Sequence, residues 1–257
     1  MKTKGILLLA LLLLLFSCKH PSENRNVIFQ TSTINALLKG NYDGEFSYGA
    51  LKKRGDFGIG TFNKLDGEMI ALDGDFYQIK SDGIAYPVKD DEKTPFAMVT
   101  WFHTDISTTL KDTIDYYQLM SYLDSLIPTP NIFYAFKIQG EFDYVKTRSV
   151  PKQSKPYRPL LKVVENQPTF TFHKIKGTLI GFRFPEYMKG INVAGYHFHF
   201  ITADRSRGGH LLDCKGLSVS ILIDSIHDFQ LELPKTREFY KVNLDDSKKN
   251  EIEKVEK

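Results

Sequence analysis

The chain has 257 residues, 42% of them hydrophobic and 13% aromatic, with a formal net charge of +3 at neutral pH. That length buries a core unaided, as one large or two small domains. So small a charge argues against nucleic acid or an anionic surface as partner, and two cysteines exclude a disulfide scaffold.

Met1-Lys2-Thr3-Lys4 is a short basic start, and residues 6–16 form a Leu-rich apolar run that stops at Ser17-Cys18. The run is too short for a membrane-spanning helix, which needs about 20 apolar residues, and suits the apolar core of a signal peptide. Leu15-Phe16-Ser17-Cys18 resembles a bacterial lipobox, in which the Cys becomes the lipidated first residue of the mature protein. The expectation is an exported lipoprotein, on the periplasmic or cell-surface side, that meets a membrane only through its N-terminal lipid anchor. An ordinary secretory signal with a chance Cys is the alternative. Removing residues 1–17 takes away Lys2 and Lys4, so the formal charge falls from +3 to +1. With Cys18 lipidated, Cys214 has no intramolecular partner and the core alone must carry stability. Residues 18–27 read as a polar tether.

From residue 28 the pattern is globular. Ser32 or Thr33 caps a short helix over residues 34–38, ended by Gly40. Residues 48–53 read as a second helix, stopped at Gly55. The texture then turns to strand over residues 58–62, 68–74 and 76–79, a meander joined by Asp-Gly turns. Residues 96–102 form another strand. Apolar residues at helical spacing over 114–123 predict a helix that packs on the sheet and ends before Pro128-Thr129-Pro130. Residues 132–138 and 140–150 alternate again. Residues 151–159, with three prolines, are an extended loop. This loop divides an N-terminal domain, residues 28–160, from a C-terminal one, residues 161–257. Strands follow at 170–175, 177–183, 216–223 and 226–233.

Residues 195–201, Gly-Tyr-His-Phe-His-Phe-Ile, are rich in aromatic and β-branched side chains and precede a polar run. On a strand, His197 and His199 share one face while Tyr196, Phe198 and Phe200 share the other. The polar run with Gly208-Gly209 returns the chain as a hairpin and brings His210 beside the pair. Three converging imidazoles suit a catalytic metal site, with coordination positions left for water or substrate. Cys214 lies on the same strand face as His210 but about 13 Å along the chain, too far to join it. His20 belongs to the tether, and His103, His173 and His227 read as structural or surface residues.

Three motifs, in this order, resemble the alpha-acetolactate decarboxylase family. They are Gly60-Thr61-Phe62 with Leu65-Asp66-Gly67-Glu68-Met69; Arg148-Ser149-Val150-Pro151 with Pro156-Tyr157; and residues 195–200 with Gly208-Gly209-His210. The resemblance runs from about Phe29 to the C-terminus. It implies an α/β fold, mixed and β-rich, with two domains and a few helices, assembled as a homodimer. It implies Zn²⁺ held by His197, His199 and His210, the residues that strand geometry also selects. The resemblance further implies catalytic roles for Glu68 and Arg148, with Thr61 near the site. A glutamate of the C-terminal tail returns to the metal in the family, matched here by Glu256 with Glu253 as competitor. From residues alone, Glu68 could be a solvated hairpin residue, Arg148 a surface cation and the tail a frayed charged end.

The implied reaction is zinc-dependent decarboxylation of (S)-2-acetolactate, a small-molecule substrate, to (R)-acetoin and CO₂. Loss of CO₂ from a carbon next to a ketone develops oxyanion charge, which a Lewis acid stabilises. An exported zinc hydrolase acting on a lactone or ester, and a non-catalytic metal-binding lipoprotein, are the alternatives.

Overall fold

In the computed structural model, which describes residues 26–244, the first half runs in strands broken by short helices. These are β1 (Val27–Thr31), α1 (Ile34–Leu38), β2 (Phe46–Ser47), α2 (Tyr48–Leu51), β3 (Phe57–Thr61), β4 (Glu68–Leu72), β5 (Asp75–Ile79), β6 (Ala85–Pro87), β7 (Lys93–Thr94) and β8 (Ala97–Thr100). There follow β9 (Ile106–Leu110), β10 (Ile114–Asp115), α3 (Tyr116–Leu126), β11 (Phe133–Arg148), α4 (Leu160–Val164), β12 (Thr169–Phe184), β13 (Gly195–Thr202), β14 (Gly208–Ile226), β15 (Asp228–Glu232) and α5 (Arg237–Lys241). The fold is mixed and β-rich, as expected.

Local chemistry sets the short helices. The Thr33 hydroxyl accepts from the Ala36 N–H to start α1, and Gly40 takes a φ of +86° just beyond its end. Asp115 and Gln118 form a reciprocal capping box on α3.

Two sheets carry the chain. The first has seven strands in the order β15-β1-β8-β3-β4-β5-β6, with β15 parallel to β1 and the other neighbours antiparallel. In the second, β10-β14-β11-β12-β13 run side by side, β9 pairs with β14, and β13 also pairs back onto β14. Strand alternation divides the apolar residues among three cores. Ile59, Ile70 and Leu72 of the first sheet meet Ala135, Ile180, Phe182 and Ile201 of the second in the inter-sheet core. Met69, Ala71 and Val99 face α2 on the outer side of the first sheet. Phe136, Ile138, Phe198 and Phe200 face Leu119 and Leu123 of α3 on the outer side of the second.

The sequence divides β11, β12 and β14 into shorter pieces than the structure does, because their glycines resemble breaks. Gly140 and Gly177 are instead ladder partners within continuous strands. A Cβ on Gly140 would lie 2.1 Å from the Ser218 carbonyl oxygen, so glycine serves close backbone approach there. Nor does the Pro151–Pro159 loop separate the two sheets. Strands β9, β10 and β11 precede it yet belong to the second sheet, and β15 returns to the first.

Two of the three register shifts in the β11–β14 pairing re-aim side chains near the histidines. Phe136, Ile138 and Phe142 of β11 face the outer core, but so does Val145, because the β11–β14 pairing skips Asp143. That slip turns the even-numbered Arg148 to the inter-sheet side; an unbroken strand would point it with Phe142. The same pairing skips Leu212. Cys214 therefore joins the outer core, on the opposite face from His210 and not the same one. Burial pushes its thiol up to about 12, which leaves it inert.

Candidate active site

The histidines converge because of register. In β13, His197 and His199 alternate with Phe198 and Phe200 of the outer core and so face the first sheet. His210 of β14 is the direct partner of His199 on one side and of Arg148 on the other. Directly opposed residues share a face, so Arg148, His210 and His199 form one cross-strand row. Gly208 and Gly209 do not make the hairpin turn. They already pair with Ile201 and Phe200, while the Thr202–Arg207 segment turns the chain around the Asp204 carboxylate. Glycine is required at 209 by contact: φ is +146°, and a Cβ would lie 2.4 Å from the Arg148 carbonyl oxygen. Gly209→Ala should displace the Arg148–His210 ladder and cost about 1–3 kcal/mol of stability, read from the denaturant midpoint. An unchanged midpoint with unchanged metal content would contradict this placement.

The three imidazoles are buried, and each offers a ring nitrogen within 4.8 Å of the others. His197 Nε2 lies 3.2 Å from His210 Nδ1. His199 Nδ1 lies 2.8 Å from the Met69 carbonyl oxygen of β4. That oxygen only accepts, so Nδ1 carries the proton and Nε2 presents its lone pair to the site. Burial brings the pKa of His197 down to about 3, with the nearby Arg148 cation acting the same way. Burial, then His197, then Arg148 hold His199 well below the ordinary range, against the bond to Met69. Neutral, converging imidazoles are the donor set that a divalent metal such as zinc requires.

This titration has a consequence for stability. A histidine whose folded pKa is depressed stays neutral while the unfolded chain takes up a proton. Stability is therefore fully present above about pH 6.5 and lost as pH falls below it, on the order of 2 kcal/mol per histidine by pH 5. Burial raises Asp224 to about 7, and its contribution runs the other way, recovering stability as pH falls from 7 toward 4. The two histidines outweigh it. The metal-free protein should lose denaturant resistance between pH 7 and 5; a rise over that interval would contradict the assignment.

Glu68 and Arg148 face the triad from opposite sheets. Glu68 opens β4 directly after the Asp66-Gly67 turn and shares the inward face with Ile70 and Leu72. Neither it nor Arg148 is solvated: they are 6% and 4% exposed. Arg148 Nη1 donates to Glu68 Oε1 at 3.2 Å and to Gln167 Oε1 at 3.2 Å, while Glu68 Oε2 lies 3.7 Å from His199 Nε2. Thr61 lines the same pocket. Its hydroxyl donates to the Gly67 carbonyl at 2.7 Å, and its own carbonyl accepts from the Tyr48 and Thr94 hydroxyls. Thr61 thus pins the turn that launches Glu68. Ile34, Leu37, Phe96, Val150 and Leu160 form the apolar wall, to which α1 and α4 contribute.

The structure thus brings Thr61, Glu68, Arg148, His197, His199 and His210 into one pocket. Glu256, Glu253 and Cys18 lie outside the described residues. His103, His173 and His227 are exposed and stand apart from the triad. Sequence reasoning passed over Gln167, the Met69 carbonyl and the apolar wall. Val150 and Met69 carried a signal, as parts of the Arg-Ser-Val and Asp-Gly-Glu-Met motifs.

A family model described as alpha-acetolactate decarboxylase matches residues 28–246. The alpha-acetolactate decarboxylase of Methanosarcina mazei is 50% identical over 232 residues, covering 90% of this chain and 81% of that protein. That of Methylococcus capsulatus is 47% identical, covering 88% and 87%. The crystal structure of alpha-acetolactate decarboxylase from Bacillus subtilis strain 168 superposes with a TM-score of 0.87 at 42% identity, covering 90% of this chain and 99% of that one. Sequence, fold and the residues gathered in the pocket agree: the chain belongs to the alpha-acetolactate decarboxylase family.

Proposed function

We propose that this chain decarboxylates (S)-2-acetolactate to (R)-acetoin, with Zn²⁺ held by His197, His199 and His210. The observation that carries this reading is the buried triad facing the Glu68–Arg148 pair across one pocket. Zn²⁺ held by these three imidazoles would supply Lewis acidity, stabilising the oxyanion charge that develops as CO₂ leaves.

The remaining work falls to the side chains. Arg148 presents a planar cationic fork to the substrate carboxylate and orients the bond to be broken. When that C–C bond breaks, CO₂ departs and the electron pair moves into the adjoining ketone, giving an enediolate. One proton added to the hydroxyl-bearing carbon completes acetoin, so each turnover consumes one proton. Glu68, fixed by Arg148 and beside His199, is placed to deliver it from one face, which sets the hand of the product. The walls of Ile34, Leu37 and Leu160 exclude water and receive the two methyl groups.

The test is acetoin release from racemic acetolactate by a soluble form starting at Lys19. Production of one enantiomer should stop with a chelator and return with Zn²⁺. A folded, zinc-loaded protein that leaves acetolactate untouched would sink the reading. The N-terminal lipobox supports export and anchoring through Cys18: Cys18→Ala should move the full chain from the membrane to the soluble fraction, and unchanged membrane retention would refute anchoring.

A further inference from the structure

We propose that Gln167 is a positioning residue for Arg148, an uncharged acceptor that fixes the guanidinium for carboxylate binding without cancelling its charge. This inference rests on the decarboxylase reading above, in which Arg148 takes the substrate carboxylate.

Three observations place Gln167 in this role. The first is geometric. A guanidinium only donates, so the amide atom 3.2 Å from Arg148 Nη1 must be the oxygen. Nη1 carries two hydrogens, and Glu68 Oε1 and Gln167 Oε1 each accept at 3.2 Å. Two acceptors on one nitrogen fix the plane of the whole group. The second is the backbone. The Pro168 carbonyl accepts from the Ser149 N–H at 3.2 Å, and Thr169 is the ladder partner of Arg148. Gln167 is thereby held against the arginine by main-chain bonds on the adjoining residues. The third is continuity with the pocket wall. Gln167 sits one turn past α4, its N–H toward the Val164 carbonyl, and the same helix supplies Leu160 to the pocket.

Charge explains why an amide serves there. Arg148 already faces the Glu68 carboxylate. A second carboxylate would orient the guanidinium equally well but oppose the approach of an anionic substrate in a buried, weakly screened pocket. An amide gives direction without that repulsion.

Two variants separate the two components. Gln167→Met keeps volume and removes the acceptor; Gln167→Glu keeps the acceptor and adds charge. Each should raise KM for acetolactate about tenfold, with kcat within about twofold of the parent. Binding is read separately by titrating the purified, metal-containing protein with two unreactive probes. One is 2-hydroxy-2-methylpropanoate, which has the hydroxyl and carboxylate. The other is 3-hydroxy-3-methylbutan-2-one, which has the hydroxyl and ketone but no carboxylate. Both variants should bind the carboxylate probe about tenfold more weakly and the neutral probe as the parent does. Equal losses for both probes would make Gln167 merely structural, and no loss for either would remove it from the site; each overturns the proposal. Should the parent bind both probes yet release no acetoin, the decarboxylase reading fails while the probe comparison still decides the role of Gln167.

Discussion

Replacing His199 with Ala is expected to lower acetoin formation by at least about 10³-fold and to bring zinc below one ion per chain. Lewis-acid stabilisation by a bound metal is worth several kcal/mol, and each 1.36 kcal/mol is about a factor of ten in rate. His199 is singled out among the three because its second nitrogen is tied across the sheets, from β13 to the Met69 carbonyl of β4. Truncation removes a ligand and also takes that donor from a buried carbonyl, at a cost of about 1–3 kcal/mol in stability. Metal content by atomic spectroscopy, turnover and the unfolding midpoint are measured together. His173→Ala, on the exposed surface of β12, is the control and should match the parent in all three. A His199→Ala protein that keeps one zinc and parental turnover would exclude the triad as the metal site.

Separating the Glu68–Arg148 pair is expected to give two different defects. Arg148→Met leaves the Glu68 carboxylate buried against neutral imidazoles without this cation. Breaking a buried ion pair from one side costs about 3–5 kcal/mol, because the desolvation of the remaining charge is no longer offset. The same change removes the carboxylate-binding fork, so KM for acetolactate should rise steeply. Glu68→Gln is nearly isosteric and keeps an acceptor for Arg148 Nη1, so its stability cost should be smaller. Its kinetic cost should fall on kcat, about 10²–10⁴-fold, as expected when a positioned proton donor is lost. The double variant should be more stable than the sum of the two losses predicts, since residues in contact are not additive. If Arg148→Met lowers kcat alone and leaves KM unchanged, Arg148 does not bind the ground-state carboxylate.

Much of this arrangement is written locally. The period-2 pattern of His197 and His199 against Phe198 and Phe200 fixes their common face, whatever the rest of the chain does. The Asp66-Gly67 turn fixes where β4 begins, and hence that Glu68 is its first residue. Other features mislead for equally physical reasons. Glycine marks both turns and close backbone contacts, so Gly140 and Gly177 resemble ends of strands that continue. Gly208-Gly209 resembles a turn although both glycines are already paired. The slips at Asp143 and Leu212 carry no residue signature, yet they decide which way Arg148 and Cys214 point. Gln167 follows a short helix and carries no mark of its proximity to Arg148, because that contact depends on where β12 begins against the end of β11.

By itself, the sequence determined the strands that became β3, β4, β5, β8 and β13, the helices α1, α2 and α3, the triad of imidazoles in one hairpin and the family to which the chain belongs. The elements and the triad follow from alternation and spacing over a few residues; the family follows from the resemblance of three motifs set along the chain. Only the tertiary structure decided that Glu68 of the first sheet meets Arg148 of the second, 80 positions away, and that the Met69 carbonyl sets the tautomer of His199. The same is true of Gln167, which completes the seat of Arg148. The reason is that the face of a side chain is set within its own strand, whereas the face it meets is set by how two sheets stack and by the bulges that correct their alternation.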